Sequence, residues 1–427
     1  MENKEILNIL EKELVVALGC TEPIAIAYAA AVATKYLCGE KILSIDVLAS
    51  GNVLKNALAV NIPGAGGSGI NLAAALGSLA EDIEKRMELL SGITVYDVQR
   101  AKTLINDGIV RVKKAETDKK LYIEVIVENS QTVSRVVIED IHTNITLIEV
   151  NGERKNIDNI INKKCKFIDD TYPILSLPTI WKFISEVKLD ELSIIKESIR
   201  LNTNIALEGL SGEYGLMVGK ILSKPSLGQR EIDFSTYAMA MTSAASDARM
   251  AGSNLPAMSN TGSGNQGISA TLPVVAIGEK IQASSEQIIR AVTLSNLITI
   301  YIKSKFGRLS ALCGVTISAT GASCGIAYLL GGGLPEIKSS IQNMMGNITG
   351  MLCDGAKLGC ALKVATCTNA AIQSAIIAME GVCIQSTDGI IEDDPDMTIL
   401  NMCSIGNLGT SEADRIILEI MLRKANS

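Results

Sequence analysis

Cysteine is the residue type in this sequence that points most clearly to chemistry, because a thiol can bind metal or act as a nucleophile. A chain of 427 residues can bury a large core and needs no disulfides for stability. The N-terminus lacks the basic start and apolar run of a secretory signal, so we expect a cytoplasmic protein whose thiols stay reduced. We therefore interpret the ten cysteines as core residues or metal ligands; they stand at positions 20, 38, 165, 313, 324, 353, 360, 367, 383 and 403.

Two of the cysteines precede a predicted helix. Thr21 is a good N-cap and Pro23 suits a first turn, so Cys20 is expected just outside a helix N-terminus. Asp354 is the corresponding predicted cap after Cys353. The positive end of the helix dipole favours the thiolate, which is the form that binds iron.

A spacing of seven residues relates Cys353, Cys360 and Cys367. On one straight helix these side chains share a face but lie about 10 Å apart per step, too far for adjacent members to bind one compact cluster. We therefore predict that at most one is a ligand and that Cys360 and Cys367 are core residues. Cys313 is followed by Gly314, which allows close backbone approach. No C-x-x-C occurs, so spacing alone leaves a metal site open.

Two glycine-rich segments, 64–69 and 262–267, match G-x-G-x-x-G. Neither fits a dinucleotide fold, because 250–260 is interpreted as a loop and no suitable acidic residue follows. Each segment is expected to open a helix, whose free N–H groups can bind a carboxylate, although glycines also permit tight helix packing. The predicted substrate-binding residues are Asn52, Ser259, Asn260, Thr261, Gly262, Ser263, Gly264, Asn265 and Gln266.

The strings at 17–23, 259–267 and 350–357 resemble the L-cysteine desulfidase family, which is related to the alpha chain of bacterial iron-sulfur L-serine dehydratases. The resemblance covers nearly the whole chain. It implies a 4Fe-4S cluster held by Cys20, Cys313 and Cys353, with one iron free of protein ligands and Cys360 as the substitute ligand if Cys20 does not reach it. It also implies β-elimination on L-cysteine to sulfide, pyruvate and ammonia without pyridoxal phosphate.

Two further functions stay open from the sequence. The same apparatus could dehydrate L-serine, and the glycine-rich segments could belong to a nucleotide-binding or regulatory protein. The base for an elimination is predicted among Glu22, Lys357 and Lys363, each of which could also be a helix cap or a solvated charge. His142, the only histidine, is expected in a surface or turn position.

Composition limits the partners. A net charge of −7, 14 aromatic residues and the absence of a basic block exclude a nucleic-acid surface and favour a small amino-acid substrate. The uncharged stretch 314–335 is rich in glycine and hydroxyl residues, so we expect close helix packing there and no membrane span. A homodimer stays open.

The elements that must position these residues indicate an α+β fold: a large, mainly helical domain with a smaller sheet-containing α/β segment. Helices are predicted at 4–19 and 23–37, a strand at 42–49, and further strands near 109–112, 121–127, 134–138 and 146–150. From 178 onward the period is helical. We predict three parts: N-terminal helices and a strand at 1–80, a β-rich segment at 81–170 and a helical catalytic domain at 171–427.

Overall fold

The computed structural model describes residues 2–37, 41–157, 172–225, 231–307 and 310–425. Cys38 and Cys165 lie outside these ranges. Helices contain about 60% of the described residues and accompany a mixed six-stranded sheet, which confirms the α+β class with a large helical part.

The main sheet has six strands, and one of them comes earlier in the sequence than the other five. This strand, β2 (Ser44–Ala49), pairs parallel to β5 (Val110–Lys114) and antiparallel to β6 (Tyr122–Glu128). The remaining neighbours are antiparallel. The strands form where β-branched residues alternate or cluster between turns. Their spatial order is β5 (Val110–Lys114), β2 (Ser44–Ala49), β6 (Tyr122–Glu128), β7 (Val133–Glu139), β8 (Ile145–Val150) and β9 (Glu153–Arg154).

The described residues form sixteen α-helices. The first five are α1 (Glu2–Glu13), α2 (Thr21–Thr34), α3 (Gly51–Ala57), α4 (Ile70–Leu79) and α5 (Val95–Asn106). The others are α6 (Leu177–Glu186), α7 (Ser193–Ser211), α8 (Val218–Leu222), α9 (Phe234–Met250), α10 (Gly264–Lys280), α11 (Ser285–Phe306), α12 (Gly314–Leu329), α13 (Leu334–Ile348), α14 (Cys360–Met379), α15 (Pro395–Ser404) and α16 (Ser411–Ala425).

The first predicted helix, 4–19, is too long, and the predicted loop 250–260 contains a strand. α1 ends at Glu13, after which β1 (Leu14–Ala17) pairs antiparallel with β10 (Ala257–Asn260). The physical reason is tertiary: the Leu-Val-Val-Ala segment finds a ladder partner far along the chain, which local periodicity does not reveal. This ladder ties the residues before Cys20 to those before Gly262. A smaller hairpin joins β3 (Asn61–Ile62) to β4 (Gly67–Ser68).

Two large hydrophobic cores account for most buried apolar residues. One lies between the sheet and α2, α4 and α5. The other lies among α1, α6, α7 and the helices from α9 to α15. The three-part division at 80 and 170 stays a prediction, because a core does not by itself fix a domain boundary.

Small residues let the core helices approach closely. A Cβ atom at Gly321 of α12 would lie 2.3 Å from the carbonyl oxygen of Ser295 in α11, so glycine is required there. Within the described residues, α14 is one helix long and apolar enough to cross a membrane by length and composition. Of its most apolar window, 56% is buried inside the protein, as in a core helix, so this is weak evidence for a span.

Candidate active site

Cys20 is positioned by a turn between β1 and α2. Gly19 has φ +70°, and a Cβ atom there would lie 2.5 Å from the Pro63 ring, so the turn requires glycine. Cys20 itself is the N-cap of α2, with φ −84° and ψ 137°. The predicted Thr21 cap is wrong, because the Thr21 hydroxyl donates to the Gly262 carbonyl and to the Glu22 carboxylate, both at 2.9 Å.

Cys313 and Cys353 are held side by side by a short antiparallel bridge. The Cys313 N–H donates to the Met351 carbonyl at 2.8 Å, and the Cys353 N–H donates to the Ala311 carbonyl at 2.6 Å. Residues 312 and 352 are the bridge partners. Backbone hydrogen bonds therefore fix the relative position of two of the three predicted ligands.

Cys353 and Cys360 do not lie on one straight helix, contrary to the sequence prediction. α14 begins only at Cys360, so Asp354 is no helix cap. The intervening loop turns at Gly355, whose φ is +92° and whose Cβ position lies 2.2 Å from the Lys55 carbonyl oxygen. This turn removes the distance argument against Cys360. Cys367 is buried in the helical core, where its Sγ lies 3.6 Å from the Met351 Sδ.

Four cysteines line a single cavity. They come from the α2, α12 and α14 N-termini and from the loop before α14, and the lining comprises Cys20, Thr21, Glu22, Asn56, Arg249, Ser263, Asn265, Cys313, Gly314, Val315, Cys353, Gly355, Ala356, Cys360 and Lys363. The eight cysteines of the described ranges are free thiols. Within the described ranges, no group of three or more His, Cys, Asp or Glu side chains could hold one metal ion.

The donor set fits a cluster better than a single ion. A lone zinc ion needs its sulfur ligands within about 2.3 Å of one point. In a cluster each thiolate binds a different iron, so the sulfurs are spread around the cavity. Four thiols from different elements line one cavity, which matches that requirement.

Burial favours the protonated form of Cys20, Cys313 and Cys360. Burial raises the pKa of Cys20 well above its usual range, and the Glu22 carboxylate raises it further. Burial and neighbouring thiols, Cys353 first, raise the pKa of Cys313, and burial raises that of Cys360. The expected stabilisation of a Cys20 thiolate by the helix dipole is therefore wrong here, because burial and Glu22 outweigh it. Metal binding would displace these protons.

Glu22 is the centre of a buried hydrogen-bond network. Its Oε2 accepts from the Thr21 hydroxyl at 2.9 Å and the Cys20 thiol at 3.2 Å, and its Oε1 accepts from the Asn56 amide at 2.9 Å. Burial disfavours the ionised carboxylate, but His142 and Asn56 reverse this, and the pKa of Glu22 is lowered far below its usual range. Glu22 is therefore an anion and a weak proton acceptor.

His142 is placed at the site by the sheet. It lies in the turn between β7 and β8, so of the two predicted positions, surface or turn, it has the turn position. Its side chain is buried and is not on the surface. Its Nε2 lies 3.7 Å from the Glu22 Oε1, longer than an ordinary hydrogen bond. This turn supplies the site's only imidazole.

Lys357 and Lys363 both pair with Asp354, but only Lys363 lines the cavity. The Lys363 ammonium donates to the Asp354 carboxylate at 2.7 Å and to the Leu352 carbonyl at 2.6 Å. Burial lowers the pKa of Lys363, but the ion pair with Asp354 outweighs it and the net pKa is raised. Whether Glu22, Lys357 or Lys363 acts as a base stays a prediction.

The predicted substrate-binding segment contributes Ser263 and Asn265 to the cavity. Other residues of this segment form hydrogen bonds to neighbouring elements. The Ser259 hydroxyl donates to the Val15 carbonyl at 2.6 Å, and the Asn260 amide donates to Asn296 at 2.9 Å. Asn52 does not line the cavity; its amide donates to Asp414 of α16 at 3.2 Å.

Sequence reasoning missed Arg249 and Asn56, both of which line the cavity. Arg249 lies in the last turn of α9 and is 3% exposed. The available indication for Arg249 was a single arginine within a run of alanines and serines. Arginine is rarely fully buried unless it is paired, so its place in such a run suggests a binding role.

Comparison with known proteins agrees with the resemblance at its coarser level. Residues 84–419 match the family described as "Serine dehydratase alpha chain". The "UPF0597 protein" of Clostridium perfringens strain SM101 is 45% identical over 98% of this chain and 98% of its own length. The "UPF0597 protein" of Oleidesulfovibrio alaskensis is 43% identical over 98% and 97%. On the family match and on relatives of full length, the chain belongs to the serine dehydratase alpha chain family.

Proposed function

We propose that the protein is an iron-sulfur lyase that performs β-elimination on L-cysteine, giving sulfide, pyruvate and ammonia. The observation that carries the proposal is the meeting of Cys20, Cys313, Cys353 and Cys360 around one cavity. Its family is associated with lyase activity and generally carries an iron-sulfur cluster. The motif at 17–23 favours cysteine as the substrate.

The proposed cluster ligands are Cys20, Cys313 and Cys353, with Cys360 as the alternative to Cys20. The backbone bridge holds Cys313 and Cys353 next to each other, and both residues line the cavity. When bound, a cluster with one iron free of protein ligands supplies a Lewis acid for the leaving sulfur. The protein's own residues must then bind the amino acid and move its protons.

The reaction breaks the Cα–H and Cβ–S bonds of cysteine. The Cα proton goes to a protein base, the electron pair forms the Cα–Cβ double bond, and sulfide leaves. The resulting aminoacrylate tautomerises to an imine, which water hydrolyses to pyruvate and ammonia. Lys363 is the proposed proton carrier because it faces the cavity. Glu22 also faces the cavity, but its lowered pKa makes it the weaker candidate. Cysteine plus water thus balances with pyruvate, ammonia and hydrogen sulfide.

Anaerobic purification tests the proposal directly. We expect a brown protein with about four irons per chain, which bleaches in air and forms pyruvate and sulfide in equal amounts from L-cysteine. A colourless, iron-free protein that forms no pyruvate after cluster reconstitution would refute it.

L-serine is the second candidate substrate, favoured by the description of the matching family. The same bonds would break, with water leaving in place of sulfide. Comparing kcat/KM for the two amino acids on one anaerobic preparation separates them, because each function predicts the higher value for its own substrate.

A further inference from the structure

Arg249 is a buried side chain that forms no ion pair with any carboxylate of the described residues. Its guanidinium has five N–H donors, yet the one acceptor among the described residues is the Asn265 side-chain oxygen, 3.1 Å from Nη1. Its Nε has no hydrogen-bond partner. Burying a charge without compensation is costly, so the arrangement suits an anion that arrives from the cavity.

The N-terminus of α10 lies against the same guanidinium. A Cβ atom at Gly264 would lie 2.2 Å from the Arg249 Nε, so glycine is needed for the arginine to lie there. The first N–H groups of this 17-residue helix have no partners within the helix, and they favour negative charge. Arg249, Ser263 and Asn265 line the cavity together.

We propose that Arg249 binds the α-carboxylate of the substrate, assisted by the start of α10. A guanidinium offers parallel N–H groups that match the two oxygens of a carboxylate. This assignment rests on the proposed function for the identity of the substrate as an amino acid. It makes Arg249 the residue that distinguishes amino acids from simple amines or thiols.

The assignment also orients the substrate. Holding the carboxylate at Arg249 leaves the β-substituent for another part of the cavity, which the cysteines line. A thiol without a carboxylate would not make the contact with Arg249. It would therefore not be held in one orientation in the cavity.

Calorimetric titration of the anaerobic protein with two small thiols tests the proposal. The probes are 3-mercaptopropionate, which has a carboxylate and no amine, and cysteamine, which has an amine and no carboxylate. The wild type should bind 3-mercaptopropionate, and Arg249→Gln should bind it about 10- to 100-fold more weakly, the usual effect of losing a charged hydrogen bond. Cysteamine affinity should not fall. Arg249→Lys, which keeps the charge, should lie between the two and guards against misfolding of the glutamine variant.

Iron content is measured on every variant, with Arg200→Gln on the exposed face of α7 as the control for an arginine outside the site. Unchanged 3-mercaptopropionate affinity in Arg249→Gln would overturn the proposal, as would equal weakening of both probes. Loss of iron in Arg249→Gln, with wild-type 3-mercaptopropionate affinity once the cluster is reconstituted, would instead assign the arginine to cluster charge and also overturn the proposal. If the wild type forms no pyruvate yet binds 3-mercaptopropionate through Arg249, the proposed function fails and the carboxylate site stands.

Discussion

The Glu22 carboxylate lies 3.7 Å from the His142 imidazole, although Glu22 lies in the first turn of α2 and His142 lies between β7 and β8. Both side chains are buried. Since Glu22 also accepts from the Cys20 thiol, this pair connects the sheet to a predicted cluster ligand. The sheet is thus part of the site's support.

Replacing His142 by Gln should lower activity by about 10- to 100-fold, the usual effect of removing a group that orients a metal-site residue. The reason is that Glu22 loses a neighbour that stabilises its anion. Pyruvate formation and iron content measure the outcome, and we expect iron to stay. Full activity in the variant would show that the pair has no functional role.

The ligand assignment is tested by single Cys→Ala variants. Loss of iron and activity is expected at Cys20, Cys313 and Cys353, while Cys360→Ala should keep its cluster. Cys383 and Cys403 lie outside the cavity lining and serve as controls expected to keep both. Retention of iron in Cys20→Ala with loss in Cys360→Ala would exchange the roles of these two residues.

Lys363 and Lys357 form a matched pair, because both bind Asp354 but only Lys363 lines the cavity. We expect Lys363→Met to lower kcat by at least about 100-fold if it carries a proton, and Lys357→Met to change it about twofold at most. Steady-state kinetics on cluster-loaded protein measure both. Equal losses would mean that the ion pairs with Asp354, not a proton transfer, explain the effect.

The strands of the sheet were predictable because their β-branched residues alternate locally between turns. The β1–β10 ladder was not, since neither Leu14–Ala17 nor Ala257–Asn260 indicates its partner. For the same reason, the sequence did not indicate that Arg249 and His142 lie at the site. Arg249 comes from α9 and His142 from a turn of the sheet. The position of Cys360 at the cavity was not predicted because the spacing of seven assumed a continuous helix, whereas α14 begins only at Cys360, after the loop through Gly355.

Asp247, two residues before Arg249, gives a prediction for the pH dependence of stability. Its side chain is buried and accepts the Gly219 N–H at 3.0 Å, but its other oxygen has no partner. Burial raises the pKa of Asp247 from 3.8 to about 6. At pH values above 6 the ionised side chain therefore costs the folded state roughly 3 kcal/mol.

The sign follows from which state releases its proton first. Between pH 3.8 and about 6 the unfolded chain ionises while the folded chain stays protonated, so stability falls as pH rises, and above pH 6 the loss is constant. Asp247→Asn keeps an acceptor for Gly219 and cannot ionise. Its thermal midpoint should exceed that of the wild type at pH 8, with the difference shrinking toward pH 4.5. Asp118→Asn, on an exposed turn, is the control. An Asp247→Asn midpoint that falls further below the wild type at pH 8 than at pH 4.5 would contradict this, because it would mean that the charged carboxylate is needed for the hydrogen bond to α8.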